Sequence, residues 1–336
     1  GYAINTDPKG LPTVLVSADN GPLVRSIVAA MQNTGYFRIT QQASSEREGE
    51  ALIERGDAQF MVAIPPQFSR ALLRGEHPAL LVAVDATDPA AAGNAIAALA
   101  ALGPSTLMHD AVGPLRHLAA EQSPFEVRVH RRYNPEGLSR VNIVPGLVGV
   151  ILTMTMVMLT GLAMTRERER GTMENLLATP VRPLEVMVGK IAPYVVIGYL
   201  QITVILLAAK ALFEVPMQGS LALLLAFVGV FVIANLAVGF TFSTLAKNQL
   251  QAVQMTFFFF LPSMLLSGFM FPFRGMPGWA QVLGEALPLT HFLRIVRGIL
   301  LKGSDLSQVL PELWPMLAFV AVAGAVALKR YRQTLD

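Results

Sequence analysis

No cysteine occurs anywhere in the 336 residues. That absence excludes disulfide bonds, thiolate metal sites and a cysteine nucleophile, and by itself leaves the compartment open. Charge is the second shortage: 15% of the residues are Asp, Glu, Lys or Arg while 53% are hydrophobic, against about 25% charged in an average soluble domain. A deficit of that size points to a bilayer. It is unevenly spread. Residues 1–140 hold 12 Lys and Arg against 14 Asp and Glu, and residues 141–336 hold 14 against 9, so a soluble-looking domain precedes a membrane domain. The net charge of +3 and pI near 9.3 do not argue for a nucleic-acid partner, because the basic excess belongs to the membrane half, where Lys and Arg mark cytoplasmic loops.

Catalytic apparatus is also missing. The phosphate-cradling pattern G-x-x-x-x-G-K-[ST] is absent, since Gly189-Lys190 is followed by Ile191 and lacks the earlier glycine. The five histidines, His77, His109, His117, His130 and His291, show no metal-ligand spacing and read as ordinary surface or interface residues. Asp85 and Asp88 are three apart, as cation ligands can be, but Asp before Thr and Pro is turn chemistry. The sequence therefore reads as a non-catalytic chain with no metal site and no cofactor of its own.

Residues 1–140 alternate strand-like and amphipathic helical runs. Strands are expected at 13–17, 37–40, 59–64, 80–84 and 126–129. Helices are expected after Asp19-Asn20, which offers N-cap chemistry, up to about 34, then at 44–55, 68–74 and, in an Ala-rich stretch, 90–118. Strands separated by helices predict an α/β sandwich with a partly parallel sheet. From residue 145 five runs approach the roughly 20 apolar residues that a membrane helix needs: 145–165, 191–209, 221–245, 252–271 and 313–328. None carries a charge well inside its apolar core, which disfavours a midplane ion site or proton relay.

Basic residues orient these spans. Arg166, Arg168, Arg170, Arg182, Lys190, Lys247, Lys329, Arg330 and Arg332 flank one side; Arg274, Arg294, Arg297 and Lys302 lie on the other, with Lys210 placed to snorkel at a helix end. The positive-inside rule puts the first set in the cytoplasm and residues 1–140 outside it. A further span upstream of Gly1 is the simplest expected way to deliver that domain across the membrane, which would make six. The richest local feature is the first cytoplasmic loop, where alternating charges run into a segment whose Met173, Leu176 and Leu177 share a helical face before Thr179-Pro180 stops it. An apolar face on a short cytoplasmic helix wants a partner.

The stretch RERERGTMENLLATPVRPLEVMVGK, residues 166–190, resembles the intracellular loop of type-2 ABC exporter permeases. Further likenesses are Leu266-Ser267-Gly268-Phe269, Phe271-Pro272, Pro277-Gly278-Trp279, Leu287-Pro288-Leu289-Thr290, Arg297-Gly298 and Lys302-Gly303. In the soluble half they are Asp19 to Arg25, Gly56-Asp57, Ile64-Pro65-Pro66-Gln67-Phe68, Gly75, Asp85 to Pro89 and Tyr133-Asn134-Pro135-Glu136. The resemblance covers nearly the whole chain. It implies an extracytoplasmic domain between the family's first two spans, a coupling helix in the loop 166–190 and an outer region, 272–312, that dips back into the membrane. It implies that Arg166, Glu167, Arg168, Glu169, Arg170, Gly171, Thr172, Met173, Glu174, Leu176, Leu177, Thr179 and Pro180 engage an ATPase subunit, which binds ATP and Mg. Two ATPase copies, a second permease chain in a homodimer or heterodimer, membrane lipid and a periplasmic fusion protein are the partners it implies. Gly1 to Ile4 resemble the tail of the family's first span.

Candidate pathway residues are the few polar groups in the spans, Gln201, Asn235 and Gln254, which serve either interhelical hydrogen bonding or cargo contact, together with Phe257, Phe258 and Met154, which suit a pliable apolar cavity. Such a path fits lipid-like or amphipathic drug-like cargo leaving the inner membrane of a bacterium. Two other readings remain at this stage: a membrane-anchored extracytoplasmic binding or assembly protein, and an ion-coupled carrier.

Overall fold

The structure, a computed structural model, describes residues 7–102, 124–170 and 183–333. It divides into two compact units, Gly1–Ser139 with Arg274–Met276, and Arg140–Phe273 with Pro277–Asp336.

The first unit is an α/β sandwich. Strands β1 (Leu11–Ser17), β2 (Phe37–Gln42), β3 (Phe60–Ile64), β4 (Ala79–Asp85) and β5 (Glu126–Arg132) lie in the order β2-β1-β3-β4-β5. All pairings are parallel except β3 with β4, the mixed sheet expected of strands alternating with helices. The central β3 is buried throughout, and the two-residue period of a strand splits its side chains between two cores. Phe60, Val62 and Ile64 join Leu15, Ile27, Phe37, Phe68, Leu72 and Leu99 under α1 (Pro22–Asn33), α3 (Phe68–Leu73) and α4 (Pro89–Ala100). Met61 and Ala63 join Val14, Val16, Ile53 and Ala83 under α2 (Glu46–Arg55) on the opposite face.

Local chemistry sets the helix ends. The Ser45 hydroxyl, at the N-cap of α2, accepts the Glu48 N–H at 3.3 Å while the Glu48 carboxylate reaches back to accept the Ser44 N–H just before the cap at 2.8 Å, a reciprocal pair like a capping box. Asp85 and Asp88 do turn work: Asp85 accepts the Thr87 N–H, and Asp88 caps α4 through the Ala90 and Ala91 N–H groups. The Ala-rich helix ends at Ala100; its expected continuation to 118 lies mostly outside the described residues. Asp19 corrects the sequence reading. Gly21 is the N-cap of α1, and the Asp19 carboxylate accepts the Ser69 N–H at 2.7 Å and the Gly21 N–H at 2.8 Å, so it staples the start of α3 instead.

The backbone hydrogen bond from Ser69 holds the Asp19 carboxyl below its ordinary value of 3.8, against a smaller opposing effect of burial. A depressed native pKa gives stability that is present above 3.8 and is lost as the pH falls through the native value. Asp19→Asn is therefore expected to lower the melting temperature of the chain at neutral pH and to converge on wild type in acid, as followed by thermal denaturation across a pH series.

The second unit is helical: α5 (Ser139–Glu169), α6 (Pro183–Phe213), α7 (Leu221–Leu245), α8 (Gln249–Leu266), α9 (Gly278–Glu285), α10 (Pro288–Arg297), a π-turn at Gly298–Lys302, and α11 (Leu306–Gln333). Five of these are long and apolar enough to cross a membrane: Ser139–Glu167, Val188–Phe213, Leu221–Leu245, Gln249–Leu266 and Leu306–Lys329. The central one is α7. Its Gly239 lies against the Val157 carbonyl and Thr160 of α5, Val232 lies against Gly198 of α6, and Phe231 stacks on Phe292 of α10 at 4.0 Å. Outward faces of α6, α8 and α11 expose Val196, Leu200, Leu207, Phe258, Leu261, Trp314 and Val322, far more contiguous apolar surface than a water-soluble monomer carries. The last span begins at Leu306 rather than 313, so Glu312 lies on the spanning helix, six residues or about 9 Å from its start.

Candidate functional site

The segment after the first span is described as far as Arg170. Arg166, Glu167, Arg168 and Glu169 form the last turn of α5, which the Arg170 N–H extends by bonding the Arg166 carbonyl at 3.1 Å. Of Arg168 only the backbone is described. Glu167 pairs with Lys190 in the second turn of α6. Glu169 crosses to α8, where its carboxylate accepts the Gln249 backbone N–H at 2.8 Å and also the Gln249 side-chain amide. These bonds, the side-chain one first, hold the Glu169 carboxyl below the usual carboxylate range. Gly171, Thr172, Met173, Glu174, Leu176, Leu177, Thr179 and Pro180 lie outside the described residues.

The candidate pathway residues do not converge on one place. The Gln201 side-chain oxygen accepts from the Thr155 hydroxyl at 2.8 Å, joining α6 to α5, and half-buried Met154 is the neighbour of that threonine. Asn235 is fully buried in α7 and donates to the Phe231 carbonyl of its own helix at 2.9 Å; its side-chain oxygen has no hydrogen-bond partner among the described residues. On α8, Gln254 and Phe257 are exposed and Phe258 is 82% exposed, whereas Phe260 is buried. The four-phenylalanine run thus points both ways, as a 100° step per residue requires.

An ionic cluster that sequence reasoning missed joins three elements, α9, α10 and α11. His291 of α10 bonds the Glu312 carboxylate of α11 at 2.5 Å and the Glu285 carbonyl of α9 at 2.8 Å. Arg294, one turn along α10, bonds both Glu285 and Glu312 and lies 4.8 Å over the Phe273 ring. The available signal was the i, i+3 spacing of His291 and Arg294 between two lone glutamates; without the fold nothing brings Glu285 and Glu312 together. Among the described residues no group of three His, Asp or Glu side chains is arranged to hold a metal. The cluster is structural in form: two carboxylates answer an imidazole and a guanidinium. Glu312 is the more enclosed carboxylate, 24% exposed against 44% for Glu285, and it bonds both His291 and Arg294. Glu312→Ala is expected to cost about 2 kcal/mol, because it strands a buried partner, and Glu285→Ala about half as much. Thermal unfolding in detergent compares the two.

The family model described as "ABC-2 family transporter protein" matches residues 1–329. Among curated proteins, the chain is 27% identical over 332 residues to "Probable multidrug ABC transporter permease YbhR" of Escherichia coli, covering 99% of this chain and 89% of that one. It is 29% identical over 333 residues to "Inner membrane transport permease YhhJ" of the same organism, covering 96% and 86%. With "Probable multidrug ABC transporter permease YbhS" it shares 28% over 340 residues, covering 99% and 88%. A match across both the α/β unit and the five spanning helices, to proteins that are permeases along most of their own length, fits a chain in which no phosphate-cradling loop occurs. The chain belongs to the ABC-2 family of transporter proteins, as a multi-pass membrane permease rather than an ATPase.

Proposed function

We propose that this chain is the membrane subunit of an ATP-driven exporter that moves hydrophobic or amphipathic cargo out of the cytoplasm or inner leaflet. The loop 166–190 faces the cytosol and receives a separate ATPase subunit; the α/β unit lies outside the cytoplasm and docks a periplasmic fusion protein or gates release. Two permease chains and two ATPase chains make the working unit. The observation that carries this reading is the last turn of α5, where the charged segment is bonded to α6 through Glu167 and to α8 through Glu169. A push on that segment has a physical route into two other spanning helices, which a mere membrane anchor does not need. The naming of the E. coli relatives as probable multidrug permeases supports drug-like cargo, and the basic residues flanking this end of the spans support its cytosolic side.

Alternating access then follows as a rigid-body switch between two helix packings. The test is reconstitution. Purified with its neighbouring ATPase chain and placed in inverted membrane vesicles, the protein is expected to accumulate ethidium only when ATP is supplied. Isolation without any ATPase chain, or accumulation driven equally well by a proton gradient in the absence of ATP, contradicts the reading.

A further inference from the structure

Glu167 and Glu169 are two residues apart, about 200° around the helix, so the last turn of α5 sends one carboxylate toward α6 and the other toward α8. The two links differ in what else joins the same elements. Helix α6 is the next described element after α5 in the chain, 13 residues beyond Arg170, so chain continuity alone carries a displacement of the segment between them to α6. Helix α8 starts 80 residues beyond Glu169, and chain continuity reaches it only through α6 and α7.

The start of α8 is built to be held. Asn248 caps it by accepting the Gln251 N–H at 2.8 Å, and the Gln251 side chain accepts the Lys247 N–H at 2.7 Å. That leaves the Gln249 N–H, one of the first-turn donors with no acceptor inside its own helix, and Glu169 of α5 takes it. One carboxylate accepts both the backbone and the side-chain amide of Gln249. A two-point contact fixes direction as well as distance, and it sets a negative charge at the positive end of the α8 dipole.

We propose that Glu169 is a positioning residue that makes α8 follow the coupling segment. Movement received by residues 166–180 passes to α8 through the Glu169–Gln249 clamp, and so to the face that carries Gln254, Phe257 and Phe258, while α6 follows through the chain and the Glu167–Lys190 pair. This rests on the proposed reading of 166–190 as the ATPase contact.

The absence of cysteine lets spin labels be placed without background. Ile233→Cys on α7 paired with Leu261→Cys on α8 reports one distance, and Ile233→Cys paired with Leu200→Cys on α6 reports the other; all three positions are exposed. Distances are measured in the complete complex with its ATPase, in lipid nanodiscs, with labelled chain diluted into unlabelled, before and after trapping with ATP and vanadate. In the parent both distances shift on trapping. In Glu169→Ala and in Gln249→Glu, which sets two carboxylates against each other, the α8 shift is lost and the α6 shift is kept. Glu169→Gln combined with Gln249→Glu restores the α8 shift, because an amide again faces a carboxylate. A full α8 shift in Glu169→Ala overturns the clamp alone. Loss of both shifts in that variant also overturns it, since the defect is then global. If neither distance responds in the parent, the ATPase-contact reading itself fails.

Discussion

Leu176→Asp, or Leu177→Asp, is expected to leave the chain inserted and folded while abolishing ATP-dependent ethidium accumulation and sparing ATP hydrolysis. Met173, Leu176 and Leu177 stand at i, i+3 and i+4 in the sequence, the spacing that puts three side chains on one face of a helix, and in the proposed reading that face is the ATPase contact. If that face fills a groove on the ATPase, a carboxylate there must either be desolvated without a partner or hold the groove open. Truncating a central interface residue typically costs about 2 kcal/mol or more, roughly a 30-fold loss of docking, and a buried charge costs more than truncation. Asn175→Asp, one residue away and off the i, i+3, i+4 spacing, serves as the control and is expected to transport normally. Transport by Leu176→Asp at the parent rate removes the coupling role of this segment.

Gly239→Leu is expected to be the most damaging single change in the spanning helices. A Cβ at this position would lie 2.5 Å from the Val157 carbonyl oxygen and 2.9 Å from the Thr160 Cβ, and backbone cannot rotate away as a side chain can. Helices in lipid gain little from the hydrophobic effect between them and rely on close packing, which small residues permit. Separating α5 from α7 would also loosen α10, because Gly149 of α5 lies against Leu289 and Phe292, and Phe292 stacks on Phe231. Overpacking a tight contact costs about 1–3 kcal/mol, and a leucine against backbone belongs at the upper end. Gly324 of α11 has open space around it, so Gly324→Leu is expected to melt with the parent. Thermal unfolding in detergent, read by loss of monodisperse protein, separates the two.

Much of the architecture is legible in the sequence because it rests on local signals. Hydropathy marks five spans, and short continuous apolar runs such as Phe60–Ile64 mark strands buried on both faces. The errors arise where a distant group intervenes. Asp19 has the chemistry of an N-cap, but the Ser69 N–H, 50 residues away, competes for its carboxylate. The last helix starts seven residues before its hydropathy does, because Glu312 breaks the apolar run while His291 and Arg294, from another helix, supply it with hydrogen-bond partners. Pro311 and Pro315 stand inside α11 as well; a helix-interior proline loses one backbone bond and crowds the carbonyl four residues back, a cost that membrane helices tolerate where neighbouring groups satisfy the freed backbone. The charged stretch from Arg166 is conspicuous as sequence, yet the two helices it is bonded to are not, since Gln249 carries no mark distinguishing it from the neighbouring Gln251.

Side-specific labelling at Arg170 tests the central claim most directly. With no cysteine elsewhere, Arg170→Cys at the end of the first span and Glu76→Cys in the α/β unit are each probed with a membrane-impermeant maleimide. Intact spheroplasts expose one side of the membrane and inverted vesicles the other. The account predicts that Arg170→Cys reacts only in inverted vesicles and Glu76→Cys only in spheroplasts. Labelling of Arg170→Cys from outside the cell contradicts it.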